Sequence, residues 1–198
     1  MAKNKTLTEV NANLTDGRHR RGQDNRARIV AAMLEIIREG EVAPGAEQVA
    51  TRAAVGLRTV FRHFQDMESL YREMAGEIER ELMVIAEQPF RAEDWKERLL
   101  ELVQRRARAF ERIAPFKRAA DAFRHRSTFL QAHNVRFAAT LRHILVQQLP
   151  ADGAEQKEWL DLLDLLLSFE AWSRLRREQG LSPEHAQQVL EMAVRRMI

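Results

Sequence analysis

Apolar positions recur along the chain at the three- and four-residue spacing of amphipathic helices. Ile29, Met33, Ile36 and Ile37 form one inward stripe, which predicts a helix from about Asn25 to Glu39. Two very short helices follow, about Ala46–Ala53 and Leu57–Phe64, and a longer one begins near Met67 and stops before Pro89. The remaining helices are predicted at about Ala92–Ile113, Pro115–Arg124, Thr128–Leu149, Ala154–Gln179 and Pro183–Met197. The prolines at 44, 89, 115, 150 and 183, with Gly40, Gly45, Gly153 and Gly180, fall between these patterns, where they interrupt least. The pattern therefore predicts an all-α chain of about nine helices and no strand. Residues 1–24 are polar and aperiodic. They read as a flexible tail that contains the basic cluster Arg18-His19-Arg20-Arg21.

Composition agrees with this pattern. Ala, Leu, Glu, Arg and Gln are abundant, and eight glycines and five prolines are sparse punctuation for 198 residues. With 45% hydrophobic and 31% charged residues, the chain can bury a core. It has no apolar run of about 18 residues to span a bilayer. The first residues contain no apolar run of the kind a secretory signal needs. The absence of cysteine excludes disulfides, thiolate metal sites and a cysteine nucleophile, and makes a reducing cytoplasm the expected setting. The net charge of +3 says little by itself, but its distribution is uneven. Residues 1–64 carry 11 Lys and Arg against 7 Asp and Glu; the rest carry 21 against 22. An anionic partner is therefore expected at the N-terminal end.

That end holds the most informative stretch, AEQVATRAAVGLRTVFRHFQDMESL, residues 46–70. Two short helices separated only by Ala54-Val55-Gly56 make a helix-turn-helix. Val49, Ala50 and Ala53 are expected to face inward, Val55 to plug the turn, and Val60 and Phe64 to enter the core. That leaves Arg58, Thr59, Arg62 and His63 on one outward strip. A helix of this size fits the major groove of B-DNA, where Arg, Thr and His reach phosphates and base edges. Arg18, Arg20, Arg21, Arg26 and Arg28 lie just upstream, within reach of the backbone or minor groove. The plain alternative is that Arg58 and Arg62 are solvated charges on a small helix.

The segment resembles the DNA-binding domain of the TetR family of transcriptional regulators. The resemblance rests on Val49-Ala50, on Ala53-Ala54-Val55, and above all on Thr59-Val60-Phe61-Arg62-His63-Phe64 followed by Glu68-Ser69-Leu70. It is close over roughly residues 26–75 and looser over the rest of the chain. It implies an all-α homodimer with three regions: a basic tail (1–24), a helix-turn-helix domain (25–66) and a ligand-binding and dimerisation domain (67–198). Duplex operator DNA would be contacted by Arg26, Leu57, Arg58, Thr59, Phe61, Arg62 and His63. A small-molecule effector bound in the larger domain would release the DNA. Three positions depart from the family pattern. Phe61 stands where tyrosine is usual and Met67 where lysine is usual, which removes two groups that reach phosphate. Ala54 stands where glycine usually relaxes the turn; a left-handed Ala54 costs on the order of 1 kcal/mol. Gly45 and Gly56 are expected to cap the two short helices.

In the C-terminal two-thirds, WLDLLDLLLSFEAWSRL (159–175) is apolar on almost every side, with Asp161, Asp164 and Ser168 as a narrow polar strip. Leu162, Leu166, Phe169 and Trp172 are expected to face their own core, so Leu160, Leu163 and Leu167 need another partner. With Leu190 and Val194 of the last helix they form the expected dimer interface, the alternative being that both helices are buried within one subunit. Of the aromatic and histidine side chains on the middle helices, Phe110, Phe123, His133, Phe137 and Trp172 are the candidate ligand-pocket residues, although aromatics at helical spacing are commonly plain core. Arg105, Arg106 and Arg108 read as surface charges.

No phosphate-binding glycine loop, G-x-S-x-G, H-E-x-x-H or E-x-x-H pair occurs. No catalytic constellation, metal site or cofactor is expected. Two other classes compete with a regulator: a helical small-molecule-binding protein of the same fold with weak operator binding, and a helical-bundle enzyme.

Overall fold

The computed structural model describes residues 22–151 and 156–198. Of the expected tail, residues 1–21 with the basic cluster at 18–21 lie outside the described residues, whereas residues 22–24 already belong to the first helix. All regular structure among the described residues is helical, and no helix there is long and apolar enough to cross a membrane. The chain divides into two compact units, Met1–Met74 and Ala75–Ile198.

The first unit contains α1 (22–38), α2 (Ala46–Arg52), α3 (Leu57–His63) and the start of α4 (Met67–Ala86). The stripe of Ile29, Met33, Ile36 and Ile37 is buried, as are Val49, Ala50, Ala53, Val60 and Phe64. α1 ends on Gly40 at φ 107°, with the amides of Gly40 and Glu41 bonded back to the carbonyls of Ile37 and Ile36. That is a Schellman cap, which needs a left-handed residue. The same two bonds recur after α2, from Ala54 to Thr51 and from Val55 to Ala50, but there the left-handed residue is Ala54, at φ 50°. Gly45 and Gly56 cap α2 and α3 with extended backbone and no side-chain bond. α4 begins with a reciprocal cap. Asp66 Oδ1 accepts from the amide of Ser69, and the Ser69 hydroxyl donates to the Asp66 carbonyl.

The second unit holds the rest of α4, then α5 (Trp95–Arg124), α6 (Thr128–Val146), α7 (Lys157–Leu166), α8 (Phe169–Ser173) and α9 (Pro183–Arg195). Side chains cap α5, α6, α8 and α9: Asp94, Ser127, Ser168 and Ser182 each accept from a first-turn amide. Three expectations are corrected here. Pro115 does not separate two helices; α5 runs through it. Proline inside a helix removes one bond and crowds the preceding turn, at a cost of about 3 kcal/mol. Phe110, Ile113, Phe116 and Ala119 are all buried on the two sides of it, and this burial outweighs the cost. The predicted helix over 154–179 is interrupted at Leu167-Ser168. Ser168 has extended backbone, and its hydroxyl donates to the Leu165 carbonyl while accepting from the Ala171 amide, so one side chain serves both ends. α8 then widens into a π-turn at Arg174–Glu178, closed by left-handed Gly180.

The third correction concerns the expected dimer face. Leu160, Leu163, Leu167, Leu190 and Val194 are all buried in their own chain. The outward apolar side chains are Leu162 (48% exposed), Leu165 (62%) and Met192 (48%). The physical reason lies in packing. Burial of the 160/163/167 stripe fixes the rotation of α7, and in that rotation Asp161 and Asp164 both bond Arg142 of α6.

Candidate functional site

The outward face of α3 follows from what its other face must bury. Val60 and Phe64 are four residues apart and take the core side, so Leu57, Arg58, Phe61 and Arg62 are left exposed on the opposite side. Phe61 is 54% exposed. Thr59 and His63 are half-buried at the edges of this strip. Arg58 and Arg62 form no ion pair with any described residue, and each guanidinium is a fork of up to five N–H donors. Cationic forks beside two apolar side chains match the two kinds of contact a major groove offers, base-edge acceptors and thymine methyl groups.

His63 differs from its neighbours. Its Nε2 is buried and has no hydrogen-bond partner among the described residues. Burial, with the nearby charges of Arg62 and Arg26, holds its pKa below the ordinary histidine value and so favours the neutral ring.

Two arginines expected to reach DNA are engaged inside the unit. Arg26 donates to the His63 carbonyl at 3.0 Å and to Glu73 at 2.7 Å, and its guanidinium lies 4.7 Å from the centre of the Phe64 ring. It ties α1 to the end of α3 and the first turns of α4. Arg28 donates to the carbonyls of Ala53 and Ala54. Both act on the position of α3, a role that residue type and sequence distance alone did not signal.

The second unit contains a cavity of about 380 Å³ bounded by α4, α5 and α6. Phe110 and Phe137, two of the five candidate pocket residues, line it. His133 does not; it bonds Glu79, which does. Trp172 is buried away from this cavity, donates its indole N–H to Glu111 at 2.9 Å and borders a separate hollow with Arg118 and Arg176. Phe123 lines neither.

Two residues read as surface charges line the cavity instead: Arg105 and Arg106 are buried, and only Arg108 is exposed. The signal was present in the spacing. Arg106 falls three residues after Val103 and four before Phe110, on the buried stripe of α5. Arg105 is neutralised by Glu101 at 2.6 Å and lies 3.9 Å from the Phe90 ring. Arg106 has no such partner among the described residues; burial lowers its pKa to about 10, with the charge of Asp164 acting in the other direction. Lys117, one helical stretch further on, is also buried, bonded to Asn134 and flanked by the rings of Phe137 and Phe169. Burial lowers its pKa too. Among the described residues no three His, Asp or Glu side chains are gathered as a metal site.

No family model and no curated protein matches the sequence. Solved structures do match. A transcriptional regulator from Rhodococcus sp. Rha1 superposes with a TM-score of 0.67 at 18% identity, over 87% of this chain and 95% of its own. NalD, the secondary repressor of the MexAB-OprM multidrug efflux pump in Pseudomonas aeruginosa, superposes with a TM-score of 0.52 at 20% identity, over 88% and 95%. The likeness is one of fold: the chain shares the all-α architecture of these two proteins.

Proposed function

We propose that this TetR-like chain is a non-enzymatic transcriptional regulator that reads duplex operator DNA with α3. The observation that carries the reading is the outward face of α3. Leu57, Arg58, Phe61 and Arg62 are exposed together, and both arginines are without a described ion-pair partner, on a helix short enough to enter a major groove. Thr59 and His63 border that face, and Arg26 positions it. The DNA-binding region is 25–66 and the ligand-binding and dimerisation region 67–198. The two solved structures that share the fold are transcriptional regulators, one of them a repressor, which supports the same class.

The protein acts as a cytoplasmic homodimer, so that two copies of α3 read adjacent half-sites about 34–36 Å apart. Leu162, Leu165 and Met192 supply the exposed apolar surface for that association. The cavity lined by Phe110 and Phe137 holds a small-molecule effector that lowers operator affinity. It does so only by preferring a conformation with lower DNA affinity, and operator DNA must weaken effector binding by the same factor.

The test is selection from random duplexes followed by gel shift across salt concentrations. An enriched sequence retained at physiological salt supports the regulator. Retention only at low salt with no enriched sequence supports the second reading, a helical small-molecule-binding protein with weak operator binding. Phe61 and Met67, where phosphate-directed tyrosine and lysine are usual, favour that alternative.

A further inference from the structure

The polar side chains on the cavity wall are not equivalent. Glu79 lines the cavity with a largely exposed side chain and is engaged by His133 at 3.0 Å. Arg105 has its charge balanced by Glu101. Arg106 is 5% exposed, and its two terminal nitrogens donate to the carbonyls of Leu167 and Leu141. Its third donor, Nε, is buried without any partner among the described residues. No carboxylate among those residues lies within ion-pair distance of it, and Asp164 is instead drawn to Arg142 at 3.2 Å.

The two carbonyl bonds explain how Arg106 holds α6 and the end of α7 to α5. They do not neutralise it. Carbonyls are dipoles, and a buried charge without a counter-ion is costly. The cost falls beside an otherwise apolar space formed by residues such as Leu82, Phe110, Ile113, Phe137 and Leu141. Arg136 adds a further positive charge to the wall. A cationic ligand would meet three arginines and a single glutamate already bonded. A neutral ligand would leave Arg106 as it is.

We infer that the cavity takes a compact amphipathic monocarboxylate, its apolar body among the aromatic and aliphatic side chains and its carboxylate against the guanidinium of Arg106. This rests on the reading of the cavity as an effector site and deepens it by naming the ligand class. The volume of about 380 Å³ lies near the small end of the range that holds organic ligands, which limits the body to a medium chain or a single ring system. Carboxylate pairing with guanidinium is the strong, directional contact that a desolvated arginine favours.

Calorimetric titration of the full chain with decanoate, decanol and decyltrimethylammonium tests this, with all three kept below their aggregation concentrations. Decanoate should bind at least about tenfold more tightly than decanol, and the ammonium should not bind measurably. Ala109→Trp, which fills the cavity wall, should abolish decanoate binding. Arg106→Met should remove the preference for decanoate over decanol while leaving decanol affinity within about threefold. If that variant does not fold, the three-ligand series on the unchanged chain decides alone. Equal or tighter binding of decanol or the ammonium overturns the carboxylate assignment and leaves an effector site of another class. No binding by any of the three overturns it as well. Decanoate binding that leaves operator affinity unchanged upholds the assignment and refutes the effector role instead.

Discussion

The guanidinium of Arg28 donates to the carbonyl of Ala53 at 2.6 Å and to that of Ala54 at 3.2 Å. An arginine of the first helix thereby closes the end of α2, where the left-handed residue is an alanine. Ala54 is exposed, so removing its methyl group forfeits little burial. Ala54→Gly should therefore raise stability in urea unfolding by up to about 1 kcal/mol, by removing the left-handed penalty. Arg28→Met should lower it by about 1–2 kcal/mol, because charge-assisted bonds to buried-side carbonyls are lost. A destabilised Ala54→Gly would show that the turn is not strained.

Arg58→Ala and Arg62→Ala should each weaken operator binding by about 1–3 kcal/mol while leaving unfolding within about 0.5 kcal/mol, because neither side chain packs in the core. Met67→Lys restores a phosphate-directed charge in each subunit and should steepen the salt dependence of log K by about 0.9 per subunit, about 1.8 for the dimer. Gel shifts over a salt series read both effects. Wild-type affinity in both arginine variants would remove α3 as the reading surface.

Leu163 and Leu165 are two residues apart and should behave oppositely. Leu163 is 0% exposed, so Leu163→Ala should cost about 2–5 kcal/mol of stability. Leu165 is 62% exposed, so Leu165→Glu should leave the fold intact and convert a dimer to a monomer by light scattering. A dimer that survives Leu165→Glu places the interface elsewhere.

His63 and His133 both have pKa values held below the ordinary histidine value, burial being the largest cause for each. Their folded forms bind a proton less readily than the unfolded chain does. Stability should therefore be full above the unfolded value of about 6.5 and fall as pH drops below it toward the lowered folded values. Thermal unfolding followed between about pH 7.5 and 5.5 should show this decline, and His63→Gln with His133→Gln should flatten it. An unchanged slope in the double variant would assign the decline to other groups.

The sequence by itself determined the features that depend on a few neighbouring residues. The stripe of Ile29, Met33, Ile36 and Ile37, the short turn Ala54-Val55-Gly56, the inward pair Val60 and Phe64 and the start of the last helix at Pro183 are all local. Each is set by spacing or backbone chemistry within one or two turns. Only the tertiary structure decided which way a helix apolar on several sides would rotate. Packing against the rest of the unit turned Leu163 inward and left Leu165 outward, and Arg142, about twenty residues away, meets Asp161 and Asp164 in that rotation. It also decided that α5 continues through Pro115, because burial on both sides outweighs one lost backbone bond. And it decided that Arg106 is a buried cation on a cavity wall. The spacing puts Arg106 on the buried stripe of α5, but only the distant carbonyls of Leu141 and Leu167, brought to it by the fold, let its charge stay there.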